Sequence, residues 1–263
     1  MADERDALLA NSDLPEIVRK IRARTPARLL VGRAGAAYRT DTHLELREAH
    51  AAARDAVRAE LNPEQAFGRE FVKRWNLFEV RTQARDKDEY LLRPDLGRHF
   101  EEESRLELVN RCTRDIDLQI AIGDGLSVSA VAGQVPPLLP LLCEGAKQRH
   151  WKLGQIFVIH RCRVGILNEI GTLLSPRVAV LLIGERPGLA TSESLSAYMA
   201  YRPDNSHTDA NRNLISNIHA RGLNPEEAAA RILNFASQMM QAATSGYLLK
   251  EAPQIDRSLP PRQ

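Results

Sequence analysis

Arg177-Val178-Ala179-Val180-Leu181-Leu182-Ile183 runs without a break into Gly184-Glu185-Arg186-Pro187-Gly188-Leu189. The first half is short, apolar throughout and rich in β-branched residues, the composition of a strand covered on both faces of a parallel sheet. The second half leaves the carboxyl end of that strand, where ligands of open α/β sheets sit. Pro187-Gly188 predicts a tight type II turn, with proline fixing one φ and glycine supplying the next. Such a turn would hold Glu185 and Arg186 at the rim of the sheet rather than in its core.

Similar apolar runs occur at 116–122 and 156–159, with a further strand predicted at 197–201. Helical patterns fill the intervals at 126–134, 138–150 and 165–174. Alternation of this kind predicts an α/β fold built on a doubly wound parallel sheet. A composition shift near residue 105 divides the chain into a mainly helical region, 1–105, and the α/β domain, 106–263. Upstream, Ser12-Asp13 before Pro15 marks a helix start, a second helix begins near Asp41-Thr42 and ends at Asn62-Pro63, and residues 78–82 read as a strand. Near the end, Asn224-Pro225 with Glu227 gives a capped helix start. Its apolar stripe includes Met239 and Met240, which helical spacing assigns to the core. Residues 258–263, with Pro260-Pro261, read as a loose tail.

The 263 residues carry a net charge of +2, with arginines interspersed among acids and no basic tract, which excludes a nucleic-acid footprint. No apolar stretch reaches the length of a membrane span. Cys112, Cys143 and Cys162 are odd in number and lack a C-x-x-C spacing, as in reduced cytoplasmic proteins. The segment Met1-Ala2-Asp3-Glu4-Arg5-Asp6 has no apolar signal core.

Chemistry-bearing motifs are sparse. Gly123-Asp124-Gly125-Leu126-Ser127 joins the first strand of the α/β domain to its helix, but Val128 stands where a dinucleotide fingerprint needs its third glycine. A tight turn accounts for it as well as a ligand contact does. No P-loop, no H-E-x-x-H, no zinc cluster and no G-x-S-x-G is present. His160 and His219 show no partners and read as structural. Asp41-x-His43 resembles the start of the D-x-H-x-x-G cobalamin motif, yet Leu46 replaces the glycine and the segment opens a helix. What remains is a convergence: loops 123–127, 161–165 and 184–192 all leave carboxyl ends of one sheet and predict a cleft there.

Taken in order, several blocks resemble the small-subunit family of ethanolamine ammonia-lyase. They are Thr25-Pro26-Ala27-Arg28 with Gly32-Arg33-Ala34-Gly35, Ala52 with Arg54-Asp55-Ala56-Val57, and Asp88-Glu89-Tyr90-Leu91. They continue as Arg93-Pro94-Asp95-Leu96-Gly97-Arg98, Asp124-Gly125-Leu126-Ser127, Glu169-Ile170-Gly171, the Gly184–Leu189 segment and Ile215-Ser216-Asn217-Ile218-His219. The resemblance implies a Rossmann-like domain that binds adenosylcobalamin at an interface with a large, TIM-barrel subunit holding the substrate. It implies conversion of ethanolamine to acetaldehyde and ammonia by a radical route, with no catalytic or metal-ligating side chain on this chain. In the family the cobalt keeps its own dimethylbenzimidazole base, which agrees with the missing histidine motif. Three family cofactor positions map to Val164, after the second strand, to Glu185 in G-E-R-P-G, and to Leu214, two residues before Ser216. The family commonly has cysteine at the last position, and glycine where this chain has Cys162.

Two other readings stay open on sequence: a freestanding nucleotide-dependent oxidoreductase, and an adaptor without a cofactor. Residues 8–21 are weakly amphipathic; a surface helix is the first reading, and use as a bacterial-microcompartment targeting helix is left open.

Overall fold

The computed structural model describes residues 15–24, 29, 31, 33–188 and 191–251. The expected helix start at Ser12-Asp13, the Thr25-Pro26-Ala27-Arg28 block, Gly32, Leu189 and the tail 258–263 lie outside the described residues, as does the first half, 8–14, of the segment 8–21.

In chain order, α1 (Glu16–Arg22) and the hairpin β1 (Arg33–Ala34) and β2 (Ala37–Tyr38) precede α2 (Thr40–Arg58), α3 (Pro63–Phe67) and α4 (Arg69–Arg74). Then come β3 (Phe78–Arg81), α5 (Lys87–Leu92), α6 (Glu102–Arg111), β4 (Leu118–Gly123) and α7 (Val128–Gln148). The rest is β5 (Phe157–His160), α8 (Ile166–Leu174), β6 (Val178–Gly184), β7 (Leu195–Tyr201), β8 (Asn213–Ile218) and α9 (Pro225–Ala242).

One six-stranded sheet, ordered β3-β5-β4-β6-β7-β8, organises the molecule. Strands β3, β5, β4 and β6 are parallel, whereas β7 and β8 are antiparallel, so the sheet is mixed rather than wholly parallel. The reversal follows from chain length: only ten residues, 185–194, separate β6 from β7, too few for the helical crossover that a parallel neighbour needs. The sheet also crosses the boundary expected near residue 105. Strand β3 pairs with β5 in register Phe78↔Phe157 through Arg81↔His160. Its buried Phe78 and Val80 alternate with exposed Glu79 and Arg81, the pattern of a half-covered edge strand.

In the parallel half, successive side chains feed opposite cores. Ile120, Ile122, Val180 and Leu182 pack with α7 and α9. Ala121, Phe157, Ile159 and Leu181 pack with Phe100, Leu108 of α6 and Ile166 and Ile170 of α8. Both faces are covered, which is why these strands read as unbroken apolar runs. Truncating one such buried leucine or isoleucine to alanine costs about 2–5 kcal/mol.

The antiparallel half is different. Leu195, Ala197, Met199, Ile215 and Ile218 face the core under α9. The opposite face, carrying Ser196, Tyr198, Leu214 and Ser216, borders a cavity, and β8 exposes Leu214, Ser216 and Asn217 while burying Ile215 and Ile218. That open face is the foundation of the site.

Helix α7 merges the two helices expected at 126–134 and 138–150, running through Pro136, Pro137 and Pro140. Each proline removes a helical donor. Ten buried residues on this helix, among them Leu138, Leu139 and Leu142, hold it continuous. At the amino-terminal end of α9, Asn224 Oδ1 accepts from the Glu227 amide at 2.8 Å, as the sequence predicts. Asn62 ends no helix: it caps α3, accepting from Gln65 N at 3.0 Å, and α2 stops earlier at Arg58.

Candidate functional site

Close backbone approach brings the carboxyl-end loops together. Gly125 has a left-handed φ of 58°, and a Cβ there would collide with the Gly184 carbonyl. A Cβ on Gly184 would in turn meet the Ser127 carbonyl. Only glycine permits this contact, and Leu126 N donates to Gly184 O at 3.1 Å across it. Ser127 caps α7 by accepting from Ala130 N, and both Ser127 and Ser129 donate to the Ser192 carbonyl. The root of the loop after β6 is therefore tied to the start of α7.

Asp124, fully buried, organises the β4–β5 side. Its Oδ1 accepts from Cys162 N at 2.9 Å, and its Oδ2 accepts from Arg161 N at 2.9 Å and from Lys87 Nζ at 3.2 Å. Lys87 is itself buried, at 7% exposure, so each charge depends on the other. Arg161 sits at φ 57°, a strained position that this network holds. Tyr90 of α5 donates its hydroxyl to Cys162 O at 2.9 Å, and the Arg163 guanidinium stacks 4.1 Å from its ring centroid. Burial pushes the Tyr90 phenol and the Cys162 thiol well above their usual ranges. Burial likewise raises Cys112 to about 11 and Cys143 to about 12, so all three cysteines are protonated, free thiols at neutral pH.

Glu185 organises the β6–β8 side. Its Oε1 accepts from Ser196 Oγ at 2.6 Å and from Asn217 N at 2.9 Å, bracing three strands with one oxygen. Oε2 has no hydrogen bond among the described residues. Asn217 adopts φ 64°, and its Oδ1 meets His219 Nε2 at 2.8 Å. Arg221 N donates to His219 Nδ1 at 3.2 Å, which assigns the proton to Nε2. Burial, then the Arg221 charge, lowers the His219 pKa, so the imidazole is neutral.

Between these walls lies a cleft of about 430 Å³. Gly125 and Leu126 line it from the first loop, Cys162, Arg163 and Val164 from the second, and Gly184, Glu185 and Arg186 from the third. The open sheet face supplies its floor: Ile183, Ser196, Tyr198, Leu214 and Ser216. Val164, Glu185 and Leu214, named from sequence, thus line one cavity although they are far apart in the chain. Leu214 is 44% exposed, more than ordinary packing would leave it.

Sequence reasoning missed Tyr90 and Tyr198 as lining residues and Lys87 as the partner of Asp124. Tyr90 lies within one of the quoted blocks, but nothing there shows that α5 reaches the cleft. The Pro187-Gly188 turn is not type II, because Gly188 lacks the left-handed φ; the loop closes instead by Gly188 N donating to Thr191 O at 3.1 Å. His160 and His219 do have partners, Glu79 Oε2 at 2.7 Å and Asn217, supplied by neighbouring strands or strained backbone.

The chain is thus an α/β protein with a mixed polar and apolar cleft at the carboxyl edge of its sheet. Residues 15–250 match the family model for the ethanolamine ammonia-lyase light chain (EutC). The chain is 40% identical over 247 residues to the ethanolamine ammonia-lyase small subunit of Clostridium perfringens, covering 94% of this chain and 82% of that protein. To the small subunit of Listeria monocytogenes it is 41% identical over 231 residues, covering 88% and 77%. To that of Clostridioides difficile it is 40% identical over 243 residues, covering 92% and 81%. The chain belongs to the ethanolamine ammonia-lyase small-subunit family.

Proposed function

We propose that this chain is the cofactor-holding small subunit of an ethanolamine ammonia-lyase, with adenosylcobalamin seated between its open sheet face and a large, TIM-barrel subunit. The observation that carries this reading is the single cleft lined by Val164, Glu185 and Leu214. The residues fit the cofactor. Leu126, Val164, Ile183 and Leu214 offer apolar surface to a flat macrocycle, and Glu185 Oε2 offers an acceptor to one of its peripheral amides. Among the described residues no histidine lines the cleft, so this chain would hold the group through apolar contact and hydrogen bonds. A cavity of this size lies at the lower end of the range for drug-sized ligands. A corrin with its nucleotide arm exceeds it, so the rest of the molecule needs a second surface.

When bound, the cofactor supplies the radical chemistry that removes a hydrogen from ethanolamine. This chain's own contribution is to bind and orient: the buried Asp124–Lys87 pair fixes one wall, and Glu185 fixes the other. Both protein walls keep water from one face of the cofactor. The reading assigns Glu185, the carboxylate in the lining, to cofactor binding and substrate handling to the large subunit, the complex forming acetaldehyde and ammonia. A Rossmann-like relationship for the α/β part and a cytoplasmic location belong to the same reading. Among the described residues, no helix is long and apolar enough to cross a membrane.

The test is to mix purified chain, large subunit and adenosylcobalamin. Deamination and a visible-spectrum change on cofactor binding are expected only from the full mixture. Acetaldehyde production by this chain alone, or a complex that binds no cobalamin, would overturn the reading.

A further inference from the structure

A second cavity of about 440 Å³ adjoins the cleft, lined by the outer face of α2, by Leu91 and by the loop after β6. The two share Arg186. Their common wall is made by neighbouring residues pointing apart: Tyr90 lines the cleft and Leu91 the groove, while Glu185 lines the cleft and Pro187 the groove. Only the chemistry changes across it.

The groove is cationic. Arg54, Arg58, Arg186 and His50 line it, and no carboxylate does. Arg58 is paired, at 2.8 Å, with the exposed Asp88. Arg54 and Arg186 have no hydrogen bond or ion pair among the described residues. Beneath these heads, Ala53, Val57 and Leu91 give an apolar floor. Cations over such a floor suit an anion carried on a largely apolar arm. The cleft presents a carboxylate, Glu185, and its own arginine, Arg163, is already taken up by the Tyr90 carbonyl at 3.1 Å and the Tyr90 ring. Glu185 and Arg186 therefore set two different demands on one ligand: an amide edge that donates hydrogen bonds, and an adjoining anionic group.

We propose that the groove of Arg54 and Arg186 binds the phosphodiester of the cofactor's nucleotide arm, and so orients the corrin on the open sheet face. The inference rests on the cofactor reading above and deepens it. The phosphodiester is the one fixed negative charge on the cobalamin periphery, the rest being neutral amides. A corrin turned the other way would set that charge beside Glu185 and leave Arg54 unpaired. Electrostatics thus selects one orientation of a nearly disc-shaped ligand, a specificity by like-charge avoidance as much as by attraction.

The test uses the complex with the large subunit and three probes read by visible absorbance: cyanocobalamin, cobinamide phosphate and cobinamide. Cobinamide keeps the corrin and its amides but lacks phosphate, ribose and base; cobinamide phosphate keeps the phosphate without the base. Arg54→Gln and Arg186→Gln are each expected to weaken binding of the two phosphate-bearing probes about tenfold, while cobinamide affinity stays within about twofold, because a single charge-assisted contact is lost. The cobalamin loss should shrink at high salt. Equal losses for all three probes would show that the arginines support the fold or dock the large subunit, and would overturn the proposal. So would unchanged affinities throughout. A loss for cyanocobalamin alone would place the base, not the phosphate, in the groove and overturn it too. A wild-type complex that binds none of the three removes the cofactor reading itself, an outcome distinct from the others.

Discussion

The two walls of the cleft are held by different chemistry. On the β4–β5 side, both oxygens of Asp124 are engaged, its Lys87 partner is sealed from water, and no polar atom of that carboxylate remains for a ligand. On the β6–β8 side, Glu185 lines the cavity and uses one oxygen to brace Ser196 and Asn217, while the other makes no hydrogen bond among the described residues. A carboxylate that has exhausted its acceptors is framework; one that has not can still bind. The difference lies in the sheet. Parallel strands covered on both faces enclose the first wall, whereas the antiparallel pair, covered on one face, leaves the second open.

This contrast breaks most readily at Asp124. Asp124→Ala strands a buried ammonium and two backbone amides, and should destabilise the chain by about 3–5 kcal/mol. Lys87→Met should cost less, because Asp124 keeps its two amide donors. Chemical denaturation of the two variants measures the pair. Equal losses, or a larger loss for Lys87→Met, would mean the amides rather than the ammonium can be spared, and the ranking of the walls would fail.

A smaller effect separates the walls by pH. His219 belongs to the Glu185 side, and its folded pKa lies below the ordinary 6.5. The unfolded chain then takes up the proton first as pH falls. Stability from this group is complete above about 6.5 and is lost as pH drops from there through the lower folded value. His219→Gln should flatten that part of the profile of melting temperature against pH. A variant profile that still falls as steeply as the wild type would remove His219 from the account.

Much of the parallel half was legible because its period is carried by the residues themselves, in continuous apolar runs, and α9 was legible from its initiating proline and asparagine cap. The convergence of three loops followed from topology, since carboxyl ends of parallel strands share one edge. Less was legible where pairing is decided at a distance. Strand β3 looks isolated at 78–82 because its partner, β5, lies almost eighty residues on. Lys87 reads as one more surface charge in a charged segment until Asp124 meets it. Leu214 reads as packing because nothing in sequence says that its side of β8 opens onto a cavity. The antiparallel turn-back of β7 was visible in principle, in the short interval after β6.

The central claim is that the Glu185 wall binds the cofactor and the Asp124 wall does not. Titration of the assembled complex with cobalamin, followed by visible absorbance, tests it most directly. Glu185→Ala should weaken binding about tenfold, with loss of an acceptor to a buried partner, while Glu185→Gln, which retains one acceptor oxygen, should weaken it less. Subunit assembly should be intact in both. Unchanged cobalamin affinity in Glu185→Ala would contradict the account and leave Glu185 as a brace for Ser196 and Asn217 alone.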